Sequence, residues 1–185
     1  MKTILLLTLI LTSALNFAQN SDEKKNKNSL KGTPFKERIY TNFDIGANTN
    51  SSGTFINISP SIGYKITKPW SVGMGIKYQY YFNRNTDYSD HIFGSSVFTK
   101  YLIGDYIVTH AEFEVLNARD YNNLSPTYGK KVLVPVFMIG GGIRYNSLHV
   151  LLLYDLIDDS RSPYRHQYYI PGIPLILRAG VSLNL

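Results

Sequence analysis

The chain has 185 residues, 19 basic and 13 acidic side chains, and no cysteine. This length suits one domain that buries a substantial core. Without cysteine, disulfide bonds and Cys-ligated zinc are excluded. Much of the formal net charge of +6 comes from residues 21–38, a polar stretch with little to bury. We interpret that stretch as solvated rather than as a binding arm, and we expect no nucleic-acid partner.

The N-terminus has the layout of a secretory signal peptide. Lys2 precedes an apolar run over 4–11, and small and polar residues follow the run. The run is too short to cross a bilayer as a helix, and a buried N-terminal strand is the alternative. We predict cleavage after Ala18, which gives a signal peptide over 1–18 and a flexible periplasmic leader over 19–38. After cleavage, 18 basic and 13 acidic residues remain, a net charge of +5.

From residue 39 onward, eight segments alternate between apolar and polar residues, and no window has a helical period. In the third segment Trp70 and Ile76 share one face, whereas Ser71 and Lys77 share the other. Strands are predicted at 39–48, 55–67, 70–82, 92–103, 106–117, 131–145, 147–157 and 173–185. Most are 10 to 13 residues long. A tilted strand needs roughly 9–11 residues to cross a bilayer.

The connections between these segments alternate in length. Three are minimal and lie at 68–69, 104–105 and 145–147. The four longer, polar connections lie at 49–53, 83–90, 118–130 and 158–172. Short turns at one end and longer loops at the other are typical of outer-membrane barrels. The sequence therefore predicts an all-β fold, an eight-stranded antiparallel up-and-down transmembrane β-barrel over 39–185.

Periodicity alone leaves open which face lines the interior of such a barrel. A soluble lipocalin-like barrel turns its apolar face inward, and a membrane barrel turns it outward. Glycines collect on the polar face, which suits a narrow lumen. Trp70 lies at the short-turn end of its strand, and Tyr78, Tyr80 and Tyr81 lie toward the other end, as two interfacial belts require. Both observations favour the membrane orientation.

Some residues depart from the simple alternation. Pro60 and Pro135 fall inside predicted strands, where we expect β-bulges or local bends because proline has no N–H for the ladder. Phe98, Leu151 and Leu153 are predicted to point inward and to make parts of the lumen apolar.

The polar face places nine charged residues in the predicted lumen. They are Asp44, Lys65, Lys77, Lys100, Glu112, Glu114, Arg144, Asp155 and Arg178. Charges confined in so narrow a cylinder must pair, because an isolated buried charge is costly. We interpret them as a salt-bridge network that closes the pore. The alternative is a path for ions or solutes lined by these charges.

Catalytic and binding motifs are weak. His110, Glu112 and Glu114 share one face at period two, but this spacing follows from any lumen-facing strand, and we expect no metal, no cofactor and no catalytic residue. The last long connection combines arginines with aromatic residues, a composition favoured at recognition surfaces. Its candidate contacts to an extracellular ligand or protein are Arg161, Tyr164, Arg165, His166, Tyr168 and Tyr169.

Five stretches together resemble the small outer-membrane β-barrel family, which is OmpA/OmpX-like or porin-like. They are the N-terminal segment ending FAQN, the hairpin GYKITKPWSVGMGIKY, and the runs AEFEVLNARDY, FMIGGGIRYN and LRAGVSLNL. The resemblance implies the outer membrane of a diderm bacterium as location, outer-membrane lipid as surroundings, and the barrel-assembly machinery as a partner during insertion. In that family the last strand usually ends in an aromatic residue, whereas here it ends in Leu185.

The expected function is structural or surface-interacting, exerted through four extracellular loops, with a plugged or very narrow lumen. The first alternative is a narrow porin-like channel for ions or small solutes. The second alternative is an outer-membrane enzyme that modifies lipids.

Overall fold

The computed structural model describes residues 28–49, 53–84, 87–120, 126–166 and 173–184. The chain divides into two units, Met1–Gly32 and Thr33–Leu185. In the first unit the described residues 28–32 include a turn in which the Lys31 N–H donates to Ser29 Oγ. The predicted signal peptide and the first part of the predicted leader lie outside the described residues.

The second unit is a closed barrel of antiparallel strands. A short helix α1 (Phe35–Arg38) precedes the strands β1 (Ile39–Thr49), β2 (Gly53–Lys65), β3 (Trp70–Asn83), β4 (Tyr88–Ile103), β5 (Ile107–Arg119), β6 (Lys131–Tyr145), β7 (Leu148–Asp155) and β8 (Leu175–Asn184). A 3₁₀ helix (Pro163–His166) lies between β7 and β8. Each strand pairs with the next and β8 pairs with β1, which confirms the predicted all-β, eight-stranded, up-and-down architecture. Among the described residues, no helix combines the length and the apolar character needed to cross a bilayer.

The two ends of the barrel carry different connections. The turn end carries the connections 66–69, 104–106 and 146–147, and the loop end carries 50–52, 84–87, 120–130 and 156–174. The predicted strict alternation in length is wrong for the first two loop-end connections. These two connections are as short as the turns because the strands extend into residues that were predicted to be loop. Asn83 pairs with Gly53 on one side and with Tyr88 on the other.

Neither Pro60 nor Pro135 produces a β-bulge, the first of the two predicted distortions. The β2–β3 ladder skips Ser59 and Pro60 but resumes in the same register, with Ile58 opposite Tyr78 and Ser61 opposite Gly75. The β6–β7 ladder includes only Met138–Tyr145 of β6. Pro135 precedes this range, so it has no partner residue on β7. The missing N–H therefore interrupts the β2–β3 ladder at Pro60 without shifting its register, and no extra residue enters either strand.

The outer surface of the barrel is apolar and its interior is largely polar. Ile76 is 66% exposed, whereas the next residue, Lys77, is 3% exposed. The other exposed large apolar side chains on strands include Phe43, Ile45, Ile56, Ile62, Met74, Phe93, Val97, Ile103, Ile107, Phe113, Leu133, Ile139, Ile143, Leu148, Val150, Leu152, Leu177 and Leu183. A soluble barrel has the reverse arrangement, because it buries its apolar face.

Three layers fill the interior between the two ends. The loop-end layer is apolar and contains Leu116, Val134, Leu153 and Ile176. The middle layer is charged, and the turn-end layer surrounds a cavity of about 60 Å³. Phe98, Leu151 and Leu153 are buried as predicted. Large rings lie over glycines of neighbouring strands; a Cβ on Gly73, for example, would overlap the Phe98 ring.

Candidate functional site

Four charged side chains form a closed network in the middle of the barrel, which we call the central charge cluster. The Lys77 Nζ lies 2.7 Å from Glu112 Oε1 and 2.9 Å from Glu114 Oε1. The Arg178 Nη1 lies 2.5 Å from Glu112 Oε2, and the Nη2 lies 2.7 Å from Glu114 Oε1. Glu112 and Glu114 share one face of β5 because they are two residues apart, and they meet cations from β3 and β8.

The ionic pairing in this cluster is balanced. Two cations face two carboxylates, and each of the four residues is at most 3% exposed. Ions so removed from water are tolerated only when their charges and hydrogen bonds are satisfied. The cluster links β3, β5 and β8 across the lumen.

Tyr164 covers the cluster from the loop end. Its hydroxyl donates to Glu114 Oε2 at 2.7 Å and accepts a hydrogen bond from Arg178 Nη2 at 2.8 Å. Tyr164 was predicted to contact an extracellular ligand or protein from the last connection. This prediction is wrong, because the Tyr164 side chain is 0% exposed. The connection 156–174 folds its 3₁₀ helix toward the lumen, so the phenol becomes part of the interior.

His110 and His149 extend the polar interior toward the turn end. His110 Nε2 lies 3.2 Å from Glu112 Oε2, and His149 Nε2 lies 2.7 Å from Asp44 Oδ1. Asp44 and His149 sit on β1 and β7, and both are opposite Gly180 of β8 in the strand register. Their side chains meet across this glycine because it carries no side chain of its own.

One interior group has the hydroxyl–imidazole–carboxylate arrangement that hydrolases use. It consists of Ser182, His149 and Asp44. The Ser182 Oγ lies 3.4 Å from His149 Nδ1 but 2.5 Å from Asn42 Oδ1, so its proton is directed to the amide. The group faces the barrel interior, whereas the predicted lipid-modifying alternative requires reacting groups at the outer rim. The geometry therefore gives that alternative no specific support.

The space at Gly180 leads to a stability prediction. A Cβ there would overlap Asp44 and His149, whereas a Cβ at Gly46 would meet its neighbours at 3.5 Å or more. We expect Gly180→Ala to lower the free energy of unfolding by about 1–3 kcal/mol, the usual range for overpacking. Gly46→Ala is the matched control and should change it by less than about 0.5 kcal/mol. Urea titration in detergent measures both, and equal effects would contradict the role assigned to Gly180.

The remaining predicted lumen charges lie at the two ends of the barrel. Lys65, Lys100 and Arg144 line the turn-end cavity. Asp155 is buried at the loop end of β7, where its Oδ1 accepts the N–H of Ile157. The structure thus brings only four of the nine predicted charges into one paired cluster.

The predicted interface aromatics divide between the two faces. Trp70 is exposed at the turn end, near the exposed Tyr101, and its Nε1 donates to Thr99 Oγ1. Tyr78 and Tyr80 both pack against His91 near the loop end. Tyr81 does not belong with them, because it follows Tyr80 directly and points the other way. It lines a cavity of about 30 Å³ inside the loop end.

Two arginines of the last connection bind neighbouring carboxylates. Arg161 pairs with Asp159 at 2.7 Å, and Arg165 pairs with Asp158 at 3.0 Å. The hydrogen bond from Arg161 holds the pKa of Asp159 below its usual range, so this pair stays ionised in mildly acidic solution. The side chain of His166 and residues Tyr168 and Tyr169 lie outside the described part of the chain.

The described residues contain no group of three His, Cys, Asp or Glu side chains arranged to hold a metal ion. His110, Glu112 and Glu114 share a face, but both carboxylates are engaged by Lys77 and Arg178. An added cation would have to displace these partners.

No protein-family model matches this chain, and no curated protein matches it. A closed eight-stranded barrel does not specify an activity, since unrelated functions use the same fold. The function is therefore inferred from the barrel's own surfaces and interior.

Proposed function

We propose that this protein is an integral outer-membrane β-barrel with a closed lumen, and that it acts through the loops of its outer end. The observation that carries the proposal is the inverted arrangement of the barrel, with apolar side chains exposed and charged side chains buried. In water, a continuous apolar surface of this kind would drive aggregation. In a bilayer the same surface contacts hydrocarbon and needs no further cover.

The exposed aromatic residues support the proposal. At the turn end Trp70, Tyr101, Tyr106 and Tyr145 are between 43% and 69% exposed. Aromatic rings with a polar edge are favoured where headgroups meet hydrocarbon, and membrane barrels carry such girdles. Together with Tyr78 and Tyr80 near the loop end, these residues would bound the lipid-facing band.

Localisation gives the most direct test. Expressed in a diderm bacterium, the full chain should sediment with outer membranes and should migrate faster on a gel when the sample is not heated. Recovery in the soluble periplasmic fraction would contradict the proposal.

The interior favours a closed barrel over the porin-like alternative. The apolar layer, Tyr164 and the central charge cluster lie in series along the axis. A conducting pore requires a continuous wet path, and side chains fill small eight-stranded barrels. The role of this protein would then be structural or surface-interacting.

Conductance measures whether the lumen is closed. Purified protein inserted into a planar bilayer should give no sustained current steps, since paired charges and packed side chains block the axis. As a positive control, a porin of known conductance is inserted under the same conditions. Sustained steps from the purified barrel would establish the channel alternative instead.

A further inference from the structure

The cavity at the turn end has a composition unlike the rest of the interior. Of its eleven lining residues, four are Lys or Arg and none is Asp or Glu. The cations are Lys65 at the end of β2, Lys68 in the following turn, Lys100 on β4 and Arg144 on β6. Three strands and one turn therefore bring four like charges to one mouth.

The carboxylates near Lys100 are engaged by other residues. Asp44 and Glu112 are carboxylates that attract the Lys100 ammonium. Asp44 is bound to His149, and Glu112 is bound to Lys77 and Arg178. Among the described residues, neither Lys100 nor Arg144 forms an ion pair with a carboxylate. Because the central charge cluster is neutral and does not pair with Lys100 or Arg144, these two cations leave an excess of positive charge at the turn-end mouth.

The mouth is also shaped and partly preorganised. Its volume of about 60 Å³ is several times what one water molecule needs, and it is too small for an unfolded peptide segment. The Arg144 Nε donates to the Asn146 carbonyl oxygen at 2.8 Å, which fixes the direction of the guanidinium group. Ser71, Ser182 and the Tyr40 hydroxyl add neutral polar groups to the lining. A planar guanidinium with nearby ammonium groups is the donor set that oxyanions, phosphate above all, prefer.

We infer that the turn-end mouth, formed by Lys65, Lys68, Lys100 and Arg144, is a binding site for a phosphate group. The phosphate would neutralise the excess charge in a setting where low-dielectric walls strengthen its attraction to the cations. The same group occurs as free phosphate and on lipid headgroups, and the cavity admits either because only the phosphate has to enter.

Inorganic phosphate is the first probe. The purified full chain in zwitterionic detergent is titrated with phosphate by calorimetry, in a chloride background of constant ionic strength. We expect saturable binding that weakens at least tenfold in the double variant Lys100→Met with Arg144→Gln. The matched control is Lys131→Met with Arg165→Gln, which removes the same charge at the loop end and should bind like the unmodified protein. Unheated gel migration verifies folding, and Arg144→Gln alone serves if the double variant does not fold.

Nanodiscs distinguish the two sources of the phosphate group. The barrel is inserted into discs of phosphatidylcholine with a small fraction of phosphatidate, and the lipid retained after extraction is counted by native mass spectrometry. If the unmodified protein retains phosphatidate and the double variant loses it, the phosphate group belongs to a lipid headgroup. If only the calorimetric titration shows binding, the ligand is the free anion. If neither probe binds, or if both bind equally to the double variant, the inference is overturned.

Discussion

Arg178→Met should lower the free energy of unfolding by about 3–5 kcal/mol, the cost of leaving a buried carboxylate without its partner. Arg178 is 1% exposed and binds Glu112, Glu114 and the Tyr164 hydroxyl at once. Its loss leaves two carboxylates with one remaining cation, Lys77. Urea titration of the barrel in detergent, followed by unheated gel migration, measures the effect.

A second substitution separates charge from packing. In the Arg178→Met background, Glu114→Gln removes the excess negative charge and leaves Lys77 paired with Glu112. Glu114→Gln should therefore lower the free energy of unfolding less in the Arg178→Met background than in the unmodified protein. The difference, which is the coupling energy of the two substitutions, should be about 0.5–3 kcal/mol. Arg165→Met is the control, because its pair with Asp158 is exposed, and such pairs contribute about 0–1 kcal/mol. Additive effects of the two cluster substitutions would show that the charges do not form one network.

The sequence was sufficient for the architecture because each strand carries its own signal. Apolar residues at every second position need only local information, and the turn residues separate the strands. The strand ends near Gly53 and Tyr88 were missed because the strands continue beyond their apolar part. There polar residues such as Asn83 still pair, and their composition resembles that of a loop.

The site was less predictable because its partners are set by closure of the sheet. Spacing places Glu112 and Glu114 on one face, but only the register and the width of the barrel bring Lys77 and Arg178 to them. The pair of Asp44 and His149 joins residues 105 positions apart across Gly180. Once the strand register is known, a glycine that lies opposite polar residues on both neighbouring strands would predict that those two side chains meet.

Tyr164 illustrates a different limit. It lies in a connection without periodicity, so nothing in the local sequence distinguishes a ring that folds inward from one that faces solvent. Its carboxylate partner Glu114 is 50 residues away. Arginine and tyrosine serve equally well in loop recognition and in a buried network, so composition alone could not assign them.

Val97→Arg should destabilise the folded barrel in lipid by about 2–4 kcal/mol, the cost of an arginine on the lipid face near the bilayer midplane. Val97 is 56% exposed and lies within β4, opposite Met74 of β3 and Phe113 of β5. At an exposed position of a soluble barrel, the same substitution would change the free energy of unfolding by no more than about 0.5 kcal/mol. The measurement is urea titration of the protein folded into phospholipid vesicles.

Ile103→Arg is the matched control on the same strand and the same face. Ile103 is 50% exposed, but it is the last residue of β4 at the turn end, where an arginine reaches the headgroups. The penalty for arginine falls to about 0–1 kcal/mol near the interface. A soluble barrel has no reason to distinguish two exposed positions of one strand, whereas a bilayer imposes a dependence on depth. A large effect at Val97 with a small one at Ile103 is therefore expected only if the outer surface contacts hydrocarbon, and equal small effects at both positions would refute the membrane assignment.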